Sequence, residues 1–358
     1  MTSELLLDKI YSYPPVHLHA VDNRRYGRTG NGFIFGQDAH VVNECVQEEI
    51  EHILETSRDS IILIDSTGVY SDFSASLGGT IISFGEPGGH YINPFYITMD
   101  KAKEWQLLRE KSDFLISLCE SVICDTSGFS ITQRTVMEYC IKKAYEPFLH
   151  SYDEILETYD YDMLPCLSDL FSILLSQRSS QIKELAERLI VRKNEIFRVL
   201  TAKKSEYGMN RLKVYNLQAV PDTLKASATL AILDRCRQEA ENKLCCTQYT
   251  WLYIEGIHRM FYKPFAAEYL RQHYMETAQN KWITTGITNH TAVFFENSIA
   301  NHLIAASHYV ILLIPSIGLR SKFMKLISVS PSEYQCFKSN EPNFGLLYNK
   351  VNLLSFHV

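Results

Sequence analysis

This sequence has no surplus of basic charge, no paired-cysteine motif and no apolar run of membrane length. Each absence excludes a class of protein. Lys and Arg number 35 against 41 Asp and Glu, a net charge of −6. Tight nucleic-acid binding by one copy needs a clustered basic surface, so nucleic acid is not a partner that the net charge supports. The nine cysteines, Cys45, Cys119, Cys124, Cys140, Cys166, Cys236, Cys245, Cys246 and Cys336, are odd in number and none stands at CxxC spacing. They read as reduced, mostly buried thiols. The longest apolar run near the end, Tyr309 to Pro315, is far short of the roughly 18–20 residues that span a bilayer, and no signal peptide opens the chain. A soluble, cytoplasmic chain is expected.

Motifs for chemistry are equally scarce. GxSxG, HExxH and paired-carboxylate patterns do not stand out, and no metal site is expected. His17 and His19 lack a Cys or carboxylate at zinc-like spacing. Cys119 and Cys124 do not share a helical face well, and Cys245-Cys246 read as packing residues. Lys203, Lys204, Arg211 and Lys213 form a small basic cluster whose default reading is a solvated face.

What is present is a globular α/β pattern. The 358 residues are 46% hydrophobic and 21% charged, enough for a large core without disulfides. Gly32 to Phe35 reads as a buried strand. Residues 41–57 follow as an amphipathic helix with Val42, Cys45, Val46, Ile50, Ile53 and Leu54 on one stripe. Ser60 to Asp65 is a continuous apolar strand of the parallel-sheet kind, which completes a βαβ unit. Thr80 to Phe84 is another strand. Residues 98–205 carry only helical patterns, near 104–123, 130–149, 166–176 and 179–201, with acidic 152–162 between two of them. Strands resume at Leu212–Leu217, Trp251–Glu255, Trp282–Thr288 and Tyr309–Leu313, separated by helices at 221–242, 257–279 and 292–300. A hairpin follows, with Gly345–Tyr348 and Val351–Leu354 around Asn349-Lys350.

In an open α/β sheet the ligand crevice lies at the carboxyl ends of the strands, here after Phe35, Ile64, Ile254 and Ile287. The first is where a phosphate loop GxxxxGK[ST] would sit, with backbone N–H groups around phosphate, a Lys on the β and γ phosphates and a hydroxyl on Mg²⁺. The residues in that register are Gly36, Gln37, Asp38, Ala39, His40, Val41, Val42 and Asn43. Gly36 is kept. Val41 replaces the second Gly, Val42 the Lys and Asn43 the Ser/Thr. No Lys or Arg occurs from Asn31 to Ser57, and Asp38, Glu44, Glu48, Glu49 and Glu51 make the region acidic. Asp38 is placed to cap the helix that follows.

Several short stretches, in order, carry a resemblance. They are Ile61-Ile62-Leu63-Ile64-Asp65-Ser66-Thr67-Gly68-Val69-Tyr70, Leu77-Gly78-Gly79, Ile92-Asn93-Pro94-Phe95, Tyr253-Ile254-Glu255-Gly256-Ile257-His258, Thr285-Gly286-Ile287-Thr288-Asn289, Gly318-Leu319-Arg320 and Gly345-Leu346-Leu347. Their order and spacing resemble the motor domain of conjugative type IV secretion ATPases of the TraC/TraE kind, in the HerA/FtsK-like P-loop clan. There the corresponding stretches read IIDPEGEY, LGG, INP, YIDEFH, TGITQ, GDR and GLL. The resemblance implies a RecA-like P-loop fold over 31–97 and 206–358, an all-helical insertion over 98–205, and an irregular segment over 1–30. It also implies hexameric assembly at a secretion channel, with peripheral attachment to the inner face of the membrane through partners. Family members carry a long N-terminal domain, so a motor domain alone is expected here.

The departures bear on activity. Glu255-Gly256 stands for the Walker B Asp-Glu pair, Thr67 and Val69 for two glutamates, and Asn289 for the sensor Gln. Arg320 is the charged residue retained, of a kind that serves a neighbouring subunit. Glu255, Asn289 and Arg320 are therefore vestigial catalytic positions. Gly36 through Asn43, with Asp65, are vestigial nucleotide-binding ones. Loss of the Lys, the Mg²⁺ ligand and the second acid argues against hydrolysis, which depends on positioning and charge. The expectation is a pseudo-ATPase acting as a structural or regulatory subunit, oligomeric with itself or an active paralogue, with no cofactor. One alternative is a divergent active ATPase with Mg-ATP and a basic residue supplied from elsewhere. Another is a nucleic-acid or protein-binding module that keeps only the fold. His258 is either a hydrogen-bonded interior residue or a group that touches the crevice.

Overall fold

The computed structural model describes residues 30–86, 89–97, 104–123, 128–150, 164–191, 200, 210–241, 249–277, 281–327, 344–348 and 353–357. Residues 1–29 of the expected irregular segment, with His17 and His19, and Cys124, the 152–162 connection, Lys203, Lys204, Cys245, Cys246, Cys336 and the Asn349-Lys350 turn lie outside them.

Strand sequences alternate between two cores, and this sets the architecture. Phe33 and Phe35 join one hydrophobic cluster while Ile34, between them, joins the other. Leu252 and Ile254 oppose Trp251 and Tyr253 in the same way, and Val310 and Leu312 oppose Tyr309, Ile311 and Leu313. A period of two with both faces apolar needs helices on both sides. The sheet has nine strands in the order β3-β4-β2-β5-β6-β1-β7-β8-β9. They are β1 Gly32–Gly36, β2 Ser60–Asp65, β3 Thr80–Ser83, β4 Leu212–Asn216, β5 Thr250–Glu255, β6 Trp282–Thr288, β7 Tyr309–Leu313, β8 Phe344–Tyr348 and β9 Leu353–His357. The pairs from β3 through β7 are parallel, and β8 and β9 add antiparallel to the edge.

Helix α1, Ala39–Thr56, covers one face with Val42, Val46, Ile50 and Ile53. The other face carries α7 Asp222–Glu241, α9 Pro264–Glu276 and α11 Ser298–Ala306, among others. Between β3 and β4 the described residues form four helices, α3 Glu104–Ile123, α4 Ile131–His150, α5 Leu167–Leu175 and α6 Ser180–Val191, as the sequence pattern predicts. This helical stretch shares its core with the sheet: α3 packs on α7 and α9, and buried Lys111 of α3 is ion-paired with Asp234 of α7. The Ile92-Asn93-Pro94-Phe95 stretch is the junction. Asn93 Nδ2 donates to the Pro165 carbonyl at 2.9 Å, Lys111 Nζ to that of Pro94 at 3.2 Å, and Tyr145 OH to that of Phe95 at 2.5 Å.

Five expectations need correction. β1 and β2 do not pair, since β6 and β5 lie between them, so the first βαβ unit is not a local one. The helix expected over 257–279 is two, α8 His258–Phe261 and α9, divided by Pro264 at the first turn of α9. The helix over 292–300 is also two, α10 Thr291–Glu296 and α11, because Asn297 caps α11 through Ile299 N and Ala300 N. The second strand of the terminal hairpin, expected at Val351–Leu354, is β9 Leu353–His357. Helices α2, Ser71–Ser76, and α12, Ile317–Leu326, add to those predicted.

Candidate functional site

The four strand ends singled out by sequence belong to β2, β5, β6 and β1, which are consecutive in the sheet. Their carboxyl ends therefore form one crevice. Its first wall is the turn from β1 into α1, and that turn contains only Gln37 and Asp38. Ala39, fourth in the phosphate-loop register, is already helical. No run of free loop N–H groups remains to wrap phosphate. Asp38 caps α1, its Oδ1 accepting from His40 N at 2.8 Å, and so brings its own carboxylate to the helix end where an anion would bind.

The lysine and hydroxyl positions are equally committed. Val42 is 3% exposed and lies over β1, where a Cβ on Gly36 would overlap its Cγ2. Gly36 is thus needed by the packing of Val42. Asn43 Oδ1 accepts from Tyr70 OH at 2.9 Å, which ties α1 to the loop after β2. Gln37, Ala39 and His40 are exposed and Val41 half-buried.

Asp65 ends β2 fully buried and organises the next turn. Its Oδ1 accepts from Thr67 N at 3.1 Å and Gly68 N at 2.7 Å, and its Oδ2 from Tyr70 N at 2.9 Å. The carboxylate is spent on backbone. Asp65→Asn keeps the volume and loses one acceptor for these N–H groups. We expect it to cost about 2 kcal/mol, the scale of one unmade buried hydrogen bond, read as a lower urea midpoint with unchanged slope.

Glu255 ends β5. Its Oε2 accepts from Ser66 N at 3.0 Å, from Ser66 Oγ, and more loosely from Thr67 Oγ1 at 3.4 Å. Burial pushes its carboxyl above the ordinary range, the Ser66 hydroxyl pulls it back, and nearby Asp65 adds to the rise. Gly256 has φ +70°, and a Cβ there would overlap both Arg259 Nη1 and Ser66 Oγ. Arg259, one turn on, folds back so that Nη1 donates to Ser66 Oγ at 3.0 Å, while Nη2 lies 3.8 Å from Asp222 Oδ1. The place of the second Walker B acid therefore holds a guanidinium. Arg259 was not among the residues expected in the site. The only trace in the sequence is an Arg three residues after the glycine.

Beside it, His258 is buried. Its Nδ1 meets Thr288 Oγ1 at 2.8 Å and its ring lies 4.3 Å from that of His290. Burial, then the charges of His290 and Arg259, push its pKa down to about 3, so it is a neutral imidazole. Thr288 Oγ1 accepts from His290 N at 3.0 Å, which leaves its own proton for Nδ1. Both readings of His258 hold in part, since it is interior and hydrogen-bonded yet borders the crevice. Asn289, in the sensor position, is exposed. Arg320 on α12 is 9% exposed, enclosed by its own chain. Reaching a neighbouring subunit would require it to leave that position.

Where this fold would hold a Mg-nucleotide, the helix end is capped by a carboxylate, the lysine position is packed into the core, and the Arg259 guanidinium stands near Glu255. Among the described residues no group of three or more His, Cys, Asp and Glu could hold a metal ion. Of the small basic cluster, Arg211 is committed to carbonyls at the end of α1 and beyond it, donating to Ser57 at 2.8 Å and Asp59 at 3.0 Å.

No family model matches the sequence, and no curated protein matches it. Solved structures do. VirB4 of Thermoanaerobacter pseudethanolicus superposes with a TM-score of 0.74 at 15% identity, over 92% of this chain and 89% of that one. The plasmid coupling protein TrwB with the ATP analogue ADPNP gives 0.58 at 10% identity, over 100% and 92%. TrwB with ADP and Mg²⁺ gives 0.54 at 11% identity, over 93% and 86%. Among the described residues no helix is long and apolar enough to cross a membrane. The chain has the α/β, RecA-like P-loop fold shared with VirB4 and the conjugative coupling protein TrwB.

Proposed function

We propose that this chain is a degenerate conjugation or type IV secretion ATPase-like protein, a pseudo-ATPase that serves as a structural or regulatory subunit. The observation that carries the reading is the turn from β1 into α1. Val42 is locked over Gly36, Asp38 occupies the helix N-terminus, and two loop residues remain where a phosphate cradle would need more. Gly256 beneath Arg259 supports it, because a residue with no side chain cannot orient an attacking water. The likeness to VirB4 and TrwB supports a place in a conjugative machine. Within it the chain would act in the cytoplasm, as a subunit of a hexamer with copies of itself or an active paralogue, beside channel proteins.

Calorimetric titration of the purified chain with ATP, with and without Mg²⁺, tests this. No saturable heat is expected up to millimolar nucleotide, where the fold's active members need micromolar to millimolar substrate. Micromolar binding would overturn it, and phosphate release abolished by Glu255→Gln would establish a divergent active ATPase.

A further inference from the structure

The guanidinium of Arg259 occupies a position no ordinary packing argument requires. It reaches back across Gly256, itself held at φ +70°, to a serine on a different strand end. That serine gives both its N–H and its hydroxyl to Glu255. The second guanidinium nitrogen faces Asp222, first residue of α7. Asp222 is exposed and pairs more closely with Lys225 of its own helix, at 2.9 Å, so the firm contact of Arg259 is the one to Ser66, the bridge to Glu255. In the P-loop fold a divalent cation sits beside the acid at the end of this strand.

We propose that Arg259 is a built-in replacement for that cation, a clasp that ties the ends of β2 and β5 together with no nucleotide present. The proposal rests on the pseudo-ATPase reading and extends it. The crevice has not been left open; its charge is balanced from within. A fork with two donor nitrogens suits this task, because it can hold Ser66 and face Asp222 at once. It also explains the glycine: any side chain at 256 would displace the clasp. The conformation of the strand ends is then set by the chain itself and does not answer to ATP.

The experiment uses the full chain, with Mn²⁺ alone as the probe and no nucleotide. Wild type is expected to show no saturable Mn²⁺ binding by calorimetry or electron paramagnetic resonance. Arg259→Ala should speed amide exchange at Ser66–Gly68 and Gly256–Ile257 about tenfold, the scale of one lost charge-assisted hydrogen bond. It should also gain a Mn²⁺ site that a further Glu255→Gln removes. Arg259→Lys, which keeps the charge without the fork, should give intermediate exchange and no Mn²⁺ site, and it replaces Arg259→Ala should that variant fail to fold. Unchanged exchange, failure of Arg259→Ala to gain Mn²⁺, or Mn²⁺ binding by wild type that depends on Glu255 would each overturn the clasp. ATP binding by wild type would overturn the pseudo-ATPase reading instead, and the exchange result distinguishes the two failures.

Discussion

Val42→Lys, the substitution that restores the phosphate-loop lysine, is expected to destabilise the chain by about 4 kcal/mol and to create no ATP binding. Val42 is one of the stripe residues by which α1 packs on the sheet, and it lies against Gly36 with Leu313 beside it. A lysine there loses that packing, and its ammonium must either be buried without a partner or push α1 away. Each route costs several kcal/mol, which places the variant among the exceptional losses. Binding does not follow, because the helix still begins at Ala39 and the Asp38 carboxylate still repels phosphate. Asn43→Thr added to it does not help, since Tyr70 then loses the acceptor it has at 2.9 Å. Urea denaturation and ATP titration check both halves. Wild-type stability together with micromolar ATP binding would mean that the first turn of α1 can unwind into a loop.

The substitutions at this turn were legible in the sequence, and their structural consequences only partly so. The missing Lys and the acidic surroundings could be read from Gly36 to Asn43, and Asp38 could be expected at the cap because Asp, followed by an apolar periodic run, is a common start to a helix. That the helix begins early enough to erase the loop could not, since helix starts are set by packing as much as by the cap. The strands were legible because their apolar runs are bounded by polar turns. Their order was not, and two strands expected together lie with two others between them. The Ile92-Asn93-Pro94-Phe95 stretch could be matched by resemblance, yet its work is to anchor α3, α4 and the Pro165 turn through hydrogen-bond partners up to 72 residues away. Such partners have no local signature. Arg259 escaped notice for the same reason: a positive φ at Gly256 and a guanidinium folding back over it are facts of three dimensions. Helix α2 is six residues long, too short to show a period.

Glu49 leads to the other large effect. In the sequence it counts with Asp38, Glu44, Glu48 and Glu51 as part of an acidic region, but it lies on the buried stripe of α1 and is 3% exposed. Cys45 adjoins it on α1, and Tyr253 of β5 and Tyr309 of β7 face it from the sheet, the latter hydrogen-bonded to Thr285. Burial pushes its pKa from an ordinary 4.5 to about 7, and the Tyr253 hydroxyl pulls it only partway back. The folded chain therefore holds this proton more tightly than the unfolded chain does. Between pH 4.5 and 7 the unfolded state sheds it first, so this group's contribution to stability is fully present below about pH 4.5 and is lost as pH rises through 7. A gap of that size corresponds to about 3 kcal/mol. Glu49→Gln removes the titrating group while keeping its shape. At pH 8 it should be more stable than wild type by about 2 kcal/mol, because a buried neutral amide still lacks full hydrogen bonding. Near pH 4.5 the two chains should unfold at similar urea concentrations. A wild-type midpoint that rises between pH 5 and 7 more than that of Glu49→Gln would show that the carboxylate has a counter-charge in the core, and that α1 is held by an ion pair there and not by a protonated acid.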